Sequence, residues 1–301
     1  MAQKKVLVTG GTGLVGKPLI RELLARGYEV HVTSRQSDAT TIEGAICHPG
    51  LDLFDSSAID TLLKQEQFGA LAHLAWYCGP GCHGSEENAR WVEVSIALLR
   101  RFHAYGGTRF LGAGSVAEYD YSYGYLSETR TPLTGPSIYG ACKSAFYKIA
   151  QTYCKTCNLD FKWARIFNLY GPAESPRRLM PSVIRAMLKG EDVRVSPCTK
   201  IMDYSHVFDT AKGIAMLLDG PVTGAVNICS GIPVRLRTIV EMVAKKTEFS
   251  GKILWGAIPQ PFDEEFVVGD NTRLRTEVGW TPDYLLTKGL DQVIQWHKEN
   301  L

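Results

Sequence analysis

Apolar residues in the first half of the chain fall into two alternating kinds of run. "KVLVT", "EVHVT", "ALAHLA", "TRFLGA" and "FKWARIF" are short, nearly continuous and rich in branched or aromatic side chains. Such runs predict strands buried on both faces. Between them, "GKPLIRELLARG", "SSAIDTLLKQ", "NARWVEVSIALLRRFHAYG" and "SIYGACKSAFYKIAQTYCK" carry apolar residues at helical spacing. The repetition predicts an α/β fold, a Rossmann-type doubly wound parallel sheet covered by helices. Pro18 falls early in the first helix, where a missing amide donor is tolerated, and Gly27 falls just past its end.

After Gly171 the pattern loosens into shorter elements: "RLMPSVIRAMLKG", "DTAKGIAMLLDG", "AVNICSG" and "LRTIVEMVAKKT". Residues 1–170 are expected to form the dinucleotide-binding domain, with 203–230 returning to it. Residues 171–202 and 231–301 are expected to form a smaller C-terminal α/β region over the carboxyl ends of the strands, where substrate binds.

Composition narrows the function classes. The chain has 301 residues, 45% hydrophobic and 21% charged, with a net charge of +2 and no block of like charge. That excludes a nucleic-acid or membrane patch as the organising feature. No apolar run is long enough to span a bilayer, and "MAQKKVLVTGG" enters a strand almost at once, so a cytoplasmic protein is expected. Its eight cysteines are then expected to be reduced thiols. Cys154 and Cys157 form a C-x-x-C, and Cys78, Cys82 and His83 lie close together, but no second pair completes a zinc site. No metal is expected.

"VLVTGGTGLVGKPLI" reads as strand, glycine turn and helix start. Gly10, Gly13 and Gly16 give G-x-x-G-x-x-G, and Gly11, Gly13 and Gly16 give G-x-G-x-x-G. Glycines let the chain turn tightly against a pyrophosphate, and the helix start supplies amide donors. Gly10, Gly13, Leu14 and Val15 are the expected contacts of this turn with a dinucleotide. A carboxylate that binds the adenosine ribose is expected about 20 residues further on. Ser34 stands there instead, 18 residues beyond Gly16, followed by Arg35. A serine and an arginine suit a 2′-phosphate, so NADP(H) is favoured and NAD(H) is the alternative.

Tyr139 and Lys143 form Y-x-x-x-K in "SIYGACKSAFY". Four residues apart on a helix, they share a face, and an ammonium beside a phenol is expected to lower its pKa. Tyr139 is then a proton donor or acceptor at a carbonyl or alcohol oxygen. Tyr284 and Lys288 match the same pattern but lie beyond the nucleotide domain. Ser115, in "FLGAGSVAEY", follows the fifth predicted strand and faces the same crevice.

With these residues in hand, the chain resembles the extended short-chain dehydrogenase/reductases, the NAD-dependent epimerase/dehydratase family that acts on nucleotide sugars. The resemblance runs through "TGGTGLVG", "HLAW", "GSVAEY", "YGACK", "RIFNLYGP", "DYSHVFD", "NICSG" and "VGWTP". It implies that Asp52 and Leu53 border the adenine, and that Leu74, Ala75 and Trp76 line the dinucleotide. It implies that Ser115, Tyr139 and Lys143 are catalytic, with Tyr139 and Lys143 also holding the nicotinamide end. Ile166 then meets the nicotinamide, and Ser115, Asn168, Arg178 and Leu179 meet the substrate. It further implies a homodimer joined through the helices around Trp91–Tyr105 and Ile138–Lys155.

The chain departs from the family pattern in two places. The Asp-Glu that 4,6-dehydratases carry after the catalytic Ser/Thr is Val116-Ala117 here, and Glu118 comes one residue late. The arginine before the D-Y of "DYSHV" is Met202, and "PQPFDEE" has no arginine; Arg177, Arg178, Lys200 and Arg237 are candidate replacements. The favoured expectation is an NADPH-dependent reductase of a nucleotide-linked 4-keto-6-deoxysugar. The alternatives are an NAD-dependent nucleotide-sugar 4-epimerase, a reductase of a non-sugar ketone and a non-catalytic dinucleotide sensor.

Overall fold

The computed structural model describes residues 4–36, 42–79, 81–260 and 265–301. Its strands are β1 (Lys5–Thr9), β2 (Glu29–Thr33), β3 (Ile46–His48), β4 (Ala70–His73), β5 (Arg109–Ser115), β6 (Tyr125–Leu126), β7 (Asp160–Ile166), β8 (Asn168–Tyr170), β9 (Val193–Val195), β10 (Ile201–His206), β11 (Gly224–Ile228), β12 (Pro233–Arg235), β13 (Ile253–Trp255) and β14 (Phe266–Gly269). Its helices are α1 (Gly16–Ala25), α2 (Ser56–Glu66), α3 (Glu87–Ala104), α4 (Ile138–Thr156), α5 (Leu179–Leu188), α6 (Val207–Asp219), α7 (Leu236–Lys246), α8 (Thr272–Thr276) and α9 (Leu286–Glu299). None is long and apolar enough to cross a membrane.

The expected doubly wound sheet is present. Seven parallel strands run in the order β11-β7-β5-β4-β1-β2-β3. Both faces are buried, which explains the continuous apolar runs. Val6 and Val8 of β1 pack with Leu19, Leu23 and Ile214 on the α1–α6 side. Leu7, between them, packs with Leu62, Leu99 and Phe102 on the side of α2 and α3. Strand order reverses between β1 and β4, and ligands bind at such a switch point.

A second sheet, β12-β10-β14-β6 with β8 on β10, and a small pair, β13-β9, lie beyond the carboxyl ends. Asp203 of β10 ties the second sheet to the segment that follows β11: its carboxylate accepts from the Ser230, Gly231 and Gly269 amides and from Ser230 Oγ. The middle of "PQPFDEE", residues 261–264, lies outside the described residues.

Candidate active site

The glycine turn is built for close approach. Gly10 has φ +73°, and a Cβ there would lie 2.7 Å from the Ala75 amide nitrogen. A Cβ on Gly16 would lie 2.2 Å from Gly10 O, so α1 starts directly against the turn. The Gly13 amide closes it onto Gly10 O at 3.1 Å. Leu14 and Val15 lead into α1, where no side chain caps the first amides. This cradle, which side chains would fill, fits a dinucleotide pyrophosphate.

Ser34 and Arg35 lie just past β2. The Ser34 amide donates to His48 O, and Ser34 Oγ accepts from the Gln36 amide at 3.2 Å. Ser34 is buried and Arg35 exposed, with no carboxylate from Thr33 to Gln36. Asp52 accepts from the Phe54 amide, and Leu53 packs into the core beside Trp91.

Ser115 is the last residue of β5, in register with Ile166 at the end of β7. Its Oγ accepts from the Ala117 amide, and its own amide donates to Glu118 Oε1. Glu118 is fully buried and turns into the core, accepting from Trp163 Nε1 at 3.0 Å and Arg165 Nε at 2.8 Å. Its carboxylate is therefore engaged within the core. Val116 and Ala117 are buried too.

Tyr139 is in the first turn of α4, which Ser137 caps by accepting from the Gly140 amide. A Cβ on Gly140 would lie 2.0 Å from Ala117 O, so glycine lets α4 abut the turn after Ser115. Lys143 is buried one turn on. Its Nζ donates to Ala113 O at 2.8 Å, lies 3.8 Å from the centre of the Trp76 ring and 6.0 Å from that of Tyr139. The expected lowering of the phenol pKa is not found in the protein by itself. Burial pushes the Tyr139 phenol up, against the opposing effect of a hydrogen bond with Ser115. The ammonium points at Ala113 O and Trp76 rather than at the phenol, and burial holds Lys143 itself down to about 8. The other matching pair is separate: Lys288 bonds Asp283 O, and Tyr284 stacks on His206.

Further side chains border the phenol that the sequence reading did not assign to the site. The His83 ring lies 5.2 Å from that of Tyr139, on a short 3-10 turn, Cys82–Gly84. Asn88 holds this turn to α3 by donating to Cys82 O and Ser85 O, while accepting from Trp76 Nε1. The adjoining loop follows directly from "HLAW", and that adjacency was the available signal. Arg178 stands exposed at the N-terminal end of α5 without a side-chain capping bond, and Leu179 opens that helix. Burial pushes the Glu174 carboxyl, near Arg178, up to about 8. Asn168 donates to Asp203 O. Met202 is half-buried and packs beside Phe167 and Val267. Of the other cations considered, Arg177 is exposed, Lys200 is buried, and Arg237 lies over Trp255 while pairing with Glu241.

A dinucleotide cradle at the switch point, with Ser115, Tyr139 and Lys143 on adjoining elements, defines an enzyme of the short-chain dehydrogenase/reductase type. Comparison with known proteins gives the family. Residues 6–229 match the model of the NAD dependent epimerase/dehydratase family, and the chain belongs to it. Among curated relatives, CDP-abequose synthase of Salmonella muenchen is 24% identical over 298 residues, covering 97% of each chain. Among solved structures, UDP-glucose 4-epimerase of Thermotoga maritima with UDP-glucose superposes with a TM-score of 0.89 at 20% identity, covering 98% of this chain and 99% of that one. The Thermus thermophilus UDP-glucose 4-epimerase complex with NAD gives 0.86 at 23%, covering 99% and 100%.

Proposed function

We propose that the chain is an NADPH-dependent reductase of a nucleotide-linked 4-keto-6-deoxysugar. The observation that carries this reading is the end of β2, where Ser34 and Arg35 stand and no carboxylate does. A carboxylate there would repel a 2′-phosphate, whereas an exposed guanidinium attracts one. The burial of Val116 and Ala117, and the inward turn of Glu118, argue against elimination.

A bound nicotinamide dinucleotide would supply the hydride. Gly10, Gly13, Leu14 and Val15 would hold its pyrophosphate, Asp52 and Leu53 its adenine, and Leu74, Ala75, Trp76 and Ile166 its remaining length. Tyr139 would deliver a proton to the C4 oxygen of the sugar. Ser115 would donate a second hydrogen bond to that oxygen, and Lys143, charged below about pH 8, would stabilise the phenolate left on Tyr139. Asn168 would meet the sugar diphosphate, and Arg178 and Leu179 would border the nucleotide of the substrate. The same reading places the enzyme in the cytoplasm, consistent with free thiols at all eight cysteines. It also places a homodimer at α3 and α4, where Ile149 is exposed.

Fluorescence titration with NADPH and NADH, followed by NADPH oxidation with 4-keto-6-deoxyhexoses on different nucleoside diphosphates, tests it. Preference for NADPH and turnover of one such sugar support the reading; failure of every such sugar removes it. Similarity to two UDP-glucose 4-epimerase structures favours 4-epimerisation as the second reading. NAD retained through gel filtration would put that reading first.

A further inference from the structure

Buried groups form a line of hydrogen bonds from the glycine turn to α3. The Ala75 amide donates to Thr9 Oγ1 at 3.3 Å, and Thr9 Oγ1 lies 2.7 Å from His73 Nδ1. His73 Nε2 lies 2.8 Å from Ser95 Oγ, which donates to Trp91 O at 2.6 Å. Thr9, His73 and Ser95 are at most 2% exposed.

Counting protons fixes the direction of this line. The one hydroxyl proton of Ser95 goes to Trp91 O, so Ser95 Oγ accepts from His73, and Nε2 carries a proton. Burial, with Lys143 nearby, holds the imidazole pKa down to about 3, so His73 is neutral and Nδ1 bears no proton. Thr9 therefore donates to Nδ1, which orients a lone pair of Oγ1 for the Ala75 amide. That amide is the atom nearest the missing Gly10 side chain. The next residue is Trp76, whose ring lies beneath Lys143.

We propose that His73 is a positioning residue for the dinucleotide cradle: it orients the Thr9 hydroxyl to hold the loop after β4 against the glycine turn, and Ser95 of α3 fixes the tautomer this needs. The inference rests on dinucleotide binding and not on the identity of the sugar.

The test uses the two amides that each replace one imidazole nitrogen. His73→Asn keeps an acceptor at the Nδ1 position for Thr9, and His73→Gln keeps a donor at the Nε2 position for Ser95. Fluorescence titration of the full chain with NADPH is read beside its thermal melt. Both variants should melt earlier, but only His73→Gln should bind NADPH more weakly, about five- to tenfold against less than about twofold for His73→Asn. Thr9→Val should reproduce the weakening and Thr9→Ser should not; this pair decides the matter where a His73 variant does not fold. Affinities that follow the melting temperatures whichever bond is kept, or wild-type affinity in Thr9→Val, overturn the proposal. A wild-type chain that binds neither NADPH nor NADH overturns the cofactor assignment and, with it, this proposal.

Discussion

Raising the pH from 7 to 10 should stabilise the wild-type chain relative to Lys143→Met. The Lys143 side chain is buried, and burial lowers its pKa from 10.5 to about 8. Between those values the unfolded chain binds a proton that the native chain does not. Stability therefore rises with pH across the window, and the charged form is the less stable one below it. Integrated from pH 7 to 10, the difference is about 2.5 kcal/mol. For a chain of this length that is about 4 °C in melting temperature. Lys143→Met also loses the bond to Ala113 O, but that offset does not depend on pH. The raised phenol of Tyr139 acts in the opposite direction above about pH 10, and does so in both proteins. Thermal or urea denaturation of the two proteins across this range measures the difference. Parallel pH profiles would show that the ammonium is solvated in the native chain, and would refute the account of Lys143 as a buried cation held for catalysis.

Arg35→Glu should weaken NADPH binding about tenfold or more while leaving NADH binding nearly unchanged, by fluorescence titration. Equal weakening of both would show that Arg35 does not read the 2′-phosphate. Glu118→Gln should lower stability by about 3 kcal/mol in urea denaturation, because Arg165 then stays buried without its carboxylate. Gly10→Ala should lower stability by about 2 kcal/mol from backbone conformation alone, with a further loss of dinucleotide affinity as Ala75 is displaced. A melt and an NADPH titration check both effects.

Much of the nucleotide half was legible because its signals are local. The glycine turn, the strand before it and the helix after it occupy consecutive residues, and each strand buried on both faces forms a visible apolar run. β3 escaped notice because three residues, Ile46–His48, are too short to show a period and none is fully buried. β8 and β12 are equally short, and β6 is shorter still. Ser115, Tyr139 and Lys143 were legible as candidates through spacing and order along the chain. The electrostatics were not, since burial opposes both phenolate and ammonium and depends on what packs around them. His83 and the Thr9–His73–Ser95 line were missed for the same reason: contacts between distant segments leave no periodic trace.

Glu118 bears on how such an enzyme could change its reaction over evolutionary time. Its carboxylate serves the Ser115 amide, Trp163 and Arg165 together, and Val116 packs beneath it with Tyr119 and Phe167. An acid arriving at 116 would enter an apolar cluster beside an anion already in use. A descendant that placed a second acid there would first have to rearrange the Glu118–Arg165 pair, passing through a less stable intermediate. Selection for folding alone would then act against an acid at 116.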